Sequence, residues 1–168
     1  MKSEYEIWFR KKNLLYRVLT SICNLLKDDE KTNFFVHYWA LKTSGDIAMH
    51  FKDLKESTQA FVKAKHLCEF FDKLEHKMII YKQLGYLYRI QKEHMKAASC
   101  FKKMLQLAWF NGDQKSELEA YDNIGCEYFY IGNLKKAKFY NDKVCFGDIE
   151  MPGSIMRKVA VQILETRL

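Results

Sequence analysis

Apolar residues recur at intervals of three and four positions along nearly the whole chain, with polar and charged residues between them. This spacing lines one face of an α-helix, whereas strict alternation would indicate a strand. The pattern predicts helices at 32–49, 54–71, 76–91, 94–110, 114–131 and 134–146, after an amphipathic stretch at 4–27 and before a last helix at 155–168. We therefore expect an all-α protein.

Helix-breaking residues are scarce in this chain of 168 residues. Proline occurs once, at Pro152, and glycine seven times, while 48% of the residues are hydrophobic. Because proline removes a backbone donor and clashes with the preceding turn, so few breakers indicate long uninterrupted helices. The apolar content is high enough to bury a core and argues against disorder.

Three helical segments repeat in register. Gly45, Gly85 and Gly125 stand 40 residues apart, and twelve residues after each glycine the chain has a small residue. These small residues are Ser57, Ala97 and Ala137. Glycine inside a helix costs about 1 kcal/mol relative to alanine, so three in register require a reason. We expect that a second helix crosses at each glycine and presents the small residue to it.

The repeated positions resemble the tetratricopeptide repeat (TPR) family over about residues 38–149. The second unit matches at Tyr81, Leu84, Gly85, Tyr88, Ala97, Phe101 and Met104. The third matches at Tyr121, Ile124, Gly125, Tyr128, Gly132, Ala137, Tyr140 and Val144, where Tyr140 stands one place before the expected aromatic position. The first unit departs from the pattern at Ser44 and Ala48. The period of 40, against the usual 34, is similar to that of a subclass with longer helices found in kinesin light chains.

The resemblance implies a right-handed α-solenoid of antiparallel helix pairs, a TPR-like superhelix. We expect three parts: an N-terminal amphipathic capping helix in 1–31, three helix pairs in 32–149, and a C-terminal capping helix or the start of a further repeat in 150–168. Since a repeat must bury its outer face, the ends predict either a longer chain or docking on a neighbour.

In the resembled family, partners bind a concave groove lined by the first helix of each pair. The matching positions that we expect to contact a partner are Lys42, Asp46, Lys82, Gln83, Tyr86, Arg89, Asp122, Asn123, Phe129 and Tyr130. The cations could pair with an acidic peptide, the amides could bond an extended backbone, and the aromatic residues offer apolar area. Asp46 stands where the family's chaperone-binding clamp needs asparagine, which argues against that ligand.

The net charge of +7 and a pI of about 9.1 favour a partner with acidic patches. The positive charge is spread along the chain, and its densest run is only Arg10 to Lys12, which argues against nucleic acid as the ligand. Five cysteines without a C-x-x-C pair suggest buried thiols in a reducing compartment. No segment has the roughly 20 apolar residues of a membrane span.

Catalytic and metal-binding motifs are missing from the sequence. His66 and Cys68 are close in the chain, but two residues apart on a helix they face different directions. We therefore expect no enzyme, no cofactor and no metal. The leading hypothesis is a cytoplasmic protein-binding adaptor or scaffold, with cytoskeletal or ciliary association suggested by the resemblance. The alternatives are a helical-repeat RNA-binding protein and a non-catalytic regulatory segment of a larger protein, and the oligomeric state stays open.

Overall fold

The computed structural model describes residues 30–145 and, before them, the helical residues Glu6, Ile7, Arg10 and Leu14. The chain divides into two compact units, Met1–Ile80 and Tyr81–Leu168. Most of the predicted N-terminal capping helix and all of the predicted helix at 155–168 lie outside the described residues. The three-part division at 31 and 149 therefore stays a prediction.

Within residues 30–145 the chain forms six α-helices and no strand. They are α1 (Glu30–His50), α2 (Leu54–Phe70), α3 (Leu74–Ile90), α4 (His94–Asn111), α5 (Gln114–Tyr130) and α6 (Leu134–Cys145). Each end lies within two residues of the bound predicted from the apolar spacing. The helices form three pairs, α1–α2, α3–α4 and α5–α6, and helices joined by such short turns run antiparallel.

All five connections between the described helices have the same geometry. The middle residue of each turn has a left-handed backbone, and these residues recur every 20 positions at Lys52, Asp72, Lys92, Gly112 and Gly132. The next residue donates its backbone N–H to a carbonyl five positions earlier, as from Asp113 to Ala108 and from Asn133 to Tyr128, each at 2.9 Å. This bond closes a Schellman turn and satisfies a carbonyl that the ending helix leaves without a partner.

Side chains in these turns also begin the next helix. Asp113 accepts a bond of 3.0 Å from the backbone N–H of Ser116 and so caps α5, as its position after Asn111-Gly112 predicts. Asp53 and Asn133 cap α2 and α6 in the same way, at 3.0 and 3.1 Å. Each cap satisfies one of the backbone donors that a helix start leaves unpaired.

The repeated glycines are places of close approach, and in the first two pairs the group nearest to the glycine is an aromatic ring and not the small residue expected. A Cβ atom on Gly45 would lie 2.6 Å from the ring of Phe61, and one on Gly85 would lie 2.5 Å from the ring of Phe101. The expected neighbour Ser57 contributes differently, because its hydroxyl donates to the Gly45 carbonyl at 2.9 Å. In these two pairs the aromatic ring, sixteen residues beyond the glycine, therefore fills the space that a side chain would need.

The third pair replaces that ring with an amide. Asn141 occupies the position of Phe61 and Phe101, and its side chain lies against Gly125. It is fully buried, and neither its oxygen nor its nitrogen has a hydrogen-bond partner among the described residues. Tyr140 instead stacks on Tyr128, with ring centroids 5.7 Å apart. Tyr140 therefore does not take the place of the repeated phenylalanine, which corrects the expectation from the sequence.

Candidate partner-binding face of the second unit

The side chains of α3 and α5 meet in an ordered polar network inside the second unit. Lys82 lies 2.6 Å from one carboxylate oxygen of Glu119, and the Tyr86 hydroxyl donates to the same oxygen at 3.1 Å. Burial, together with the negative charge of Glu119, raises the pKa of Tyr86. The hydroxyl therefore stays protonated and remains a donor at neutral pH.

The centre of this network is Glu127, whose side chain is fully buried. One of its oxygens accepts a bond from Arg89 Nε, and the other lies 2.7 Å from His94 Nδ1. Arg89 also donates from Nη2 to the Asn123 side-chain oxygen at 2.8 Å, and the Asn123 amide nitrogen donates to the Glu119 carbonyl at 2.8 Å. A buried carboxylate is tolerated only with such partners, since an unpaired one would be costly.

Aromatic rings hold Arg89 and His94 of this network in position. The Arg89 guanidinium lies 5.4 Å from the ring centroid of Tyr86 and 5.2 Å from that of Phe101, both within cation–π range. The His94 ring stacks on Tyr130 with centroids 5.1 Å apart. The planar side chains of Arg89 and His94 are therefore fixed by rings on one side and by Glu127 on the other.

Other residues of this face remain accessible. Tyr130 is 62% exposed and Ile90 is 53% exposed, while Gln83 and Phe129 are half-buried. Asp122 is half-buried and takes part in other interactions. The accessible part of the face is thus apolar and aromatic with an amide, and the charged side chains Lys82 and Arg89 beside it are engaged within the chain.

The two candidate residues in the first unit also pair with each other. Lys42 Nζ lies 2.6 Å from the Asp46 carboxylate one helical turn further along α1, and it lies 5.7 Å from the Trp39 ring centroid. The structure therefore brings Lys82, Tyr86, Arg89 and Asn123 together in the second unit and places the Lys42–Asp46 pair in the first.

Sequence reasoning missed the acidic half of the network, namely Glu119 and Glu127, and also His94. A usable signal was present in the repeat register. Glu119 lies six residues before Gly125 and Glu127 two residues after it, whereas Lys82 and Arg89 flank Gly85. Comparing the first helices of neighbouring repeats for opposite charges would have suggested the pairing, because adjacent first helices present these positions to one another.

The described residues contain no group of three His, Cys, Asp or Glu side chains arranged to hold a metal ion. None of their helices combines the length and the apolar character that a membrane crossing requires. Cys68 and Cys126 are buried, and burial raises the pKa of the Cys68 thiol to about 11.

These helix pairs define the chain as an all-α helical-repeat protein with a TPR-like solenoid fold. Solved structures with the same fold include a candidate kinesin light chain from Podosopora anserina with nearly identical TPR-like repeats. It is 12% identical, has a TM-score of 0.67, and the match covers 99% of this chain and 87% of that one. A variant of that protein with one substituted residue matches with the same identity and TM-score and covers 86% of that chain.

A second similar structure is BtubC (BKLC) from P. vanneervenii, at 16% identity and a TM-score of 0.64. The match covers 80% of this chain and 54% of that one, so this chain spans about half the length of BtubC. No family model and no curated protein matches the sequence. At these identities the likeness shows the fold, and the assignment to the subclass with a 40-residue period stays a prediction.

Proposed function

We propose that this chain is a protein-interaction adaptor or scaffold module, and that the α3–α5 face of the second unit contacts a segment of a partner protein. The observation that carries the proposal is the contrast within this face. Lys82 and Arg89 are satisfied by Glu119, Glu127 and Asn123, whereas Ile90 and Tyr130 leave apolar area exposed. An exposed aromatic side chain fixed by stacking offers contact area at a low entropy cost.

A partner segment would bind this face by hydrogen bonds and apolar contacts. Gln83 offers both a donor and an acceptor to an extended backbone, and Phe129 and Tyr130 offer rings. Because Lys82 and Arg89 already have carboxylate partners, a partner's acidic residues would have to compete with Glu119 and Glu127. Acidic patches on the partner, which the net charge favours, are therefore better matched elsewhere on the molecule.

The fold and the similar solved structures also support a non-enzymatic role and a cellular setting for the proposed module. A helical-repeat array with no catalytic motif fits a non-enzymatic role in a larger assembly. The kinesin light chain description of the Podosopora anserina structure supports a cytoplasmic setting with cytoskeletal association for this chain as well. No observation favours RNA over protein on the α3–α5 face, since its cations are paired with carboxylates.

Site-specific photo-crosslinking tests the proposal without disturbing the ion pairs. The full chain would carry a benzoylphenylalanine at position 83 or position 130, and a matched control would carry it at exposed Lys63 on α2. After irradiation in extract of the source cells, mass spectrometry would identify what is attached. We expect the same partner polypeptide from positions 83 and 130 and not from position 63.

Two results would contradict the proposal. Cross-links at position 63 alone would place the contact outside the α3–α5 face. RNA attached at positions 83 and 130 would replace a protein partner with a nucleic acid.

A further inference from the structure

The helices of the second unit separate the charges that look evenly spread in the sequence. The second helices, α4 and α6, contain seven lysines and a single acidic residue, Asp142. The first helix between them in the chain, α5, contains one lysine and four acidic residues. Among the described helices α4 to α6, positive charge is therefore concentrated on α4 and α6.

Two of these lysines converge on one ring. Lys102 of α4 and Lys136 of α6 place their ammonium nitrogens 5.1 and 5.2 Å from the ring centroid of Tyr128. Lys102 also donates to the Tyr128 hydroxyl at 2.7 Å, and this bond raises the pKa of Lys102. Tyr128 therefore joins the basic side chains of α4 and α6 into one surface.

An aromatic side chain lies among the lysines of α6. Lys135, Phe139 and Lys143 stand four residues apart and so share one face of the helix. Phe139 is 55% exposed, and the Lys143 ammonium lies 5.6 Å from its ring centroid. Lys103 on α4 is exposed as well. The surface, called the lysine face below, consists of Lys102, Lys103, Lys135, Lys136, Phe139 and Lys143.

The lysine face gathers five lysines that have no counter-charge among the described residues around one exposed ring. Across the described residues, no carboxylate lies within ion-pair distance of any of its five lysines. By contrast, Lys96 on the same α4 helix lies 2.5 Å from Glu93, and Lys82 and Arg89 are paired on the α3–α5 face. Unpaired like charges repel one another, and a partner's negative charges would relieve that repulsion.

We propose that the lysine face binds an acidic protein segment, rich in Asp and Glu, with an apolar side chain that covers Phe139. The inference rests on the proposed protein-binding function, but it assigns the acidic preference to a surface other than the α3–α5 face. Clustered lysines around an exposed ring match alternating carboxylates and one apolar group. The α6 helix is about 18 Å long, a distance that about six extended residues span.

The residue types favour carboxylates over nucleic-acid phosphates. Arginine provides the planar fork that binds a phosphate through two bonds, and 94–145 contains no arginine. Lysine ammoniums on flexible stems instead suit carboxylates whose spacing varies along a segment.

The test measures binding of a labelled peptide to the full chain by fluorescence anisotropy. The probe is a twelve-residue peptide of Glu with two central Leu residues, and its control has Gln in place of every Glu. One variant is Lys103→Gln/Lys135→Gln/Lys143→Gln. Its matched control, Lys55→Gln/Lys63→Gln/Lys115→Gln, removes the same charge from exposed lysines outside the lysine face. Circular dichroism would establish that both variants keep the helical fold.

We expect the Glu peptide to bind the wild type, and the Gln peptide not to bind. Loss of three lysine-face charges should weaken binding about tenfold, whereas the matched control should change it by less than about twofold. Equal weakening by the two variants would overturn the inference, because net charge alone would then explain binding. The inference would also be overturned if a twelve-nucleotide single-stranded RNA bound the wild type more tightly than the Glu peptide does, and if the lysine-face variant lost that RNA binding.

The outcome is separable from that of the proposed function. Photo-crosslinks from positions 83 and 130 that persist in the lysine-face variant, without any binding of the Glu peptide, would remove only this inference. Peptide binding without those cross-links would retain the lysine face and contradict the role of the α3–α5 face.

Discussion

The two sides of the second unit use charged residues in opposite ways. On the α3–α5 face, each of the cations Lys82 and Arg89 meets a carboxylate from the next repeat, and Glu127 is fully buried between two partners. On the lysine face, five lysines lie without a carboxylate neighbour among the described residues. Charges on the first face should therefore matter for stability, and charges on the second for binding.

The largest effect should follow removal of the buried carboxylate. Glu127→Ala removes the fully buried carboxylate that pairs with Arg89 and contacts His94, and we expect a loss of about 3 kcal/mol in the free energy of unfolding. Glu119→Ala is the matched control, since Glu119 is 20% exposed and should cost about 1 kcal/mol or less. Urea unfolding followed by circular dichroism measures both, and equal losses would contradict the difference in burial.

A substitution on the buried side of α6 should instead raise the free energy of unfolding. Asn141 buries an amide that has no hydrogen-bond partner among the described residues, where the other pairs have phenylalanine, so Asn141→Leu should stabilise the chain by about 1–2 kcal/mol. Leucine has the same number and branching of side-chain heavy atoms as asparagine and so can take the same position beside Gly125. A higher midpoint in urea is the expected result. A lower midpoint would mean that the amide has a partner that stabilises it.

The start of α5, the helix that carries the acidic residues, should show a smaller and pH-dependent effect. Hydrogen bonds from Ser116 lower the pKa of Asp113, so its contribution is present above the ordinary value of about 3.9 and is lost as the pH falls through the folded value. Asp113→Ala should cost about 1 kcal/mol at pH 7.

The variant Asp113→Asn separates the cap from its charge. Asparagine keeps the capping oxygen, so any stability gap from the wild type at pH 7 should shrink as the pH falls below about 4 and close below the lowered pKa of the folded carboxyl. A gap that persists in acid would show that Asp113 acts through something other than its ionised carboxylate.

The smallest effect concerns the turn that joins α3 to α4. Lys92 has a left-handed backbone with φ of 60°, which costs a residue with a side chain more than it costs glycine. We expect Lys92→Gly to raise the free energy of unfolding by about 0.5–1 kcal/mol. The reverse change, Gly132→Ala at the equivalent turn, should lower it by about 1 kcal/mol. A lower melting temperature for Lys92→Gly, or a higher one for Gly132→Ala, would contradict the shared turn geometry.

The sequence was sufficient for the helices, since their apolar spacing and the glycine register both follow from local periodicity. The turns at Gly112 and Gly132 and the Asp113 cap were also predictable, because those residue types favour that geometry. The equivalent turns at Lys52 and Lys92 were not, since lysine gives no local signal for a left-handed backbone. There the repeated fold imposes the conformation.

The candidate face was predictable in its position but not in its chemistry. The resemblance selected Lys82 and Arg89, yet whether a cation is available to a partner depends on neighbours 37 and 38 residues away in the chain. The concentration of lysines on α4 and α6 likewise becomes visible only when it is known that both are the second helices of their pairs. The sequence also gives no sign that Asn141 is buried, or that its amide has no hydrogen-bond partner among the described residues, because polar residues flank it.

The most direct test of the contrast between the two faces is a double-mutant cycle on Arg89 and Glu127. The free energy of unfolding would be measured for Arg89→Met, Glu127→Leu, the double variant and the wild type. If the pair is an internal, buried interaction, each single change should be strongly destabilising and the double variant should recover about 2–3 kcal/mol relative to their sum. Additive losses would contradict the account, since Arg89 would then be a cation available to a partner.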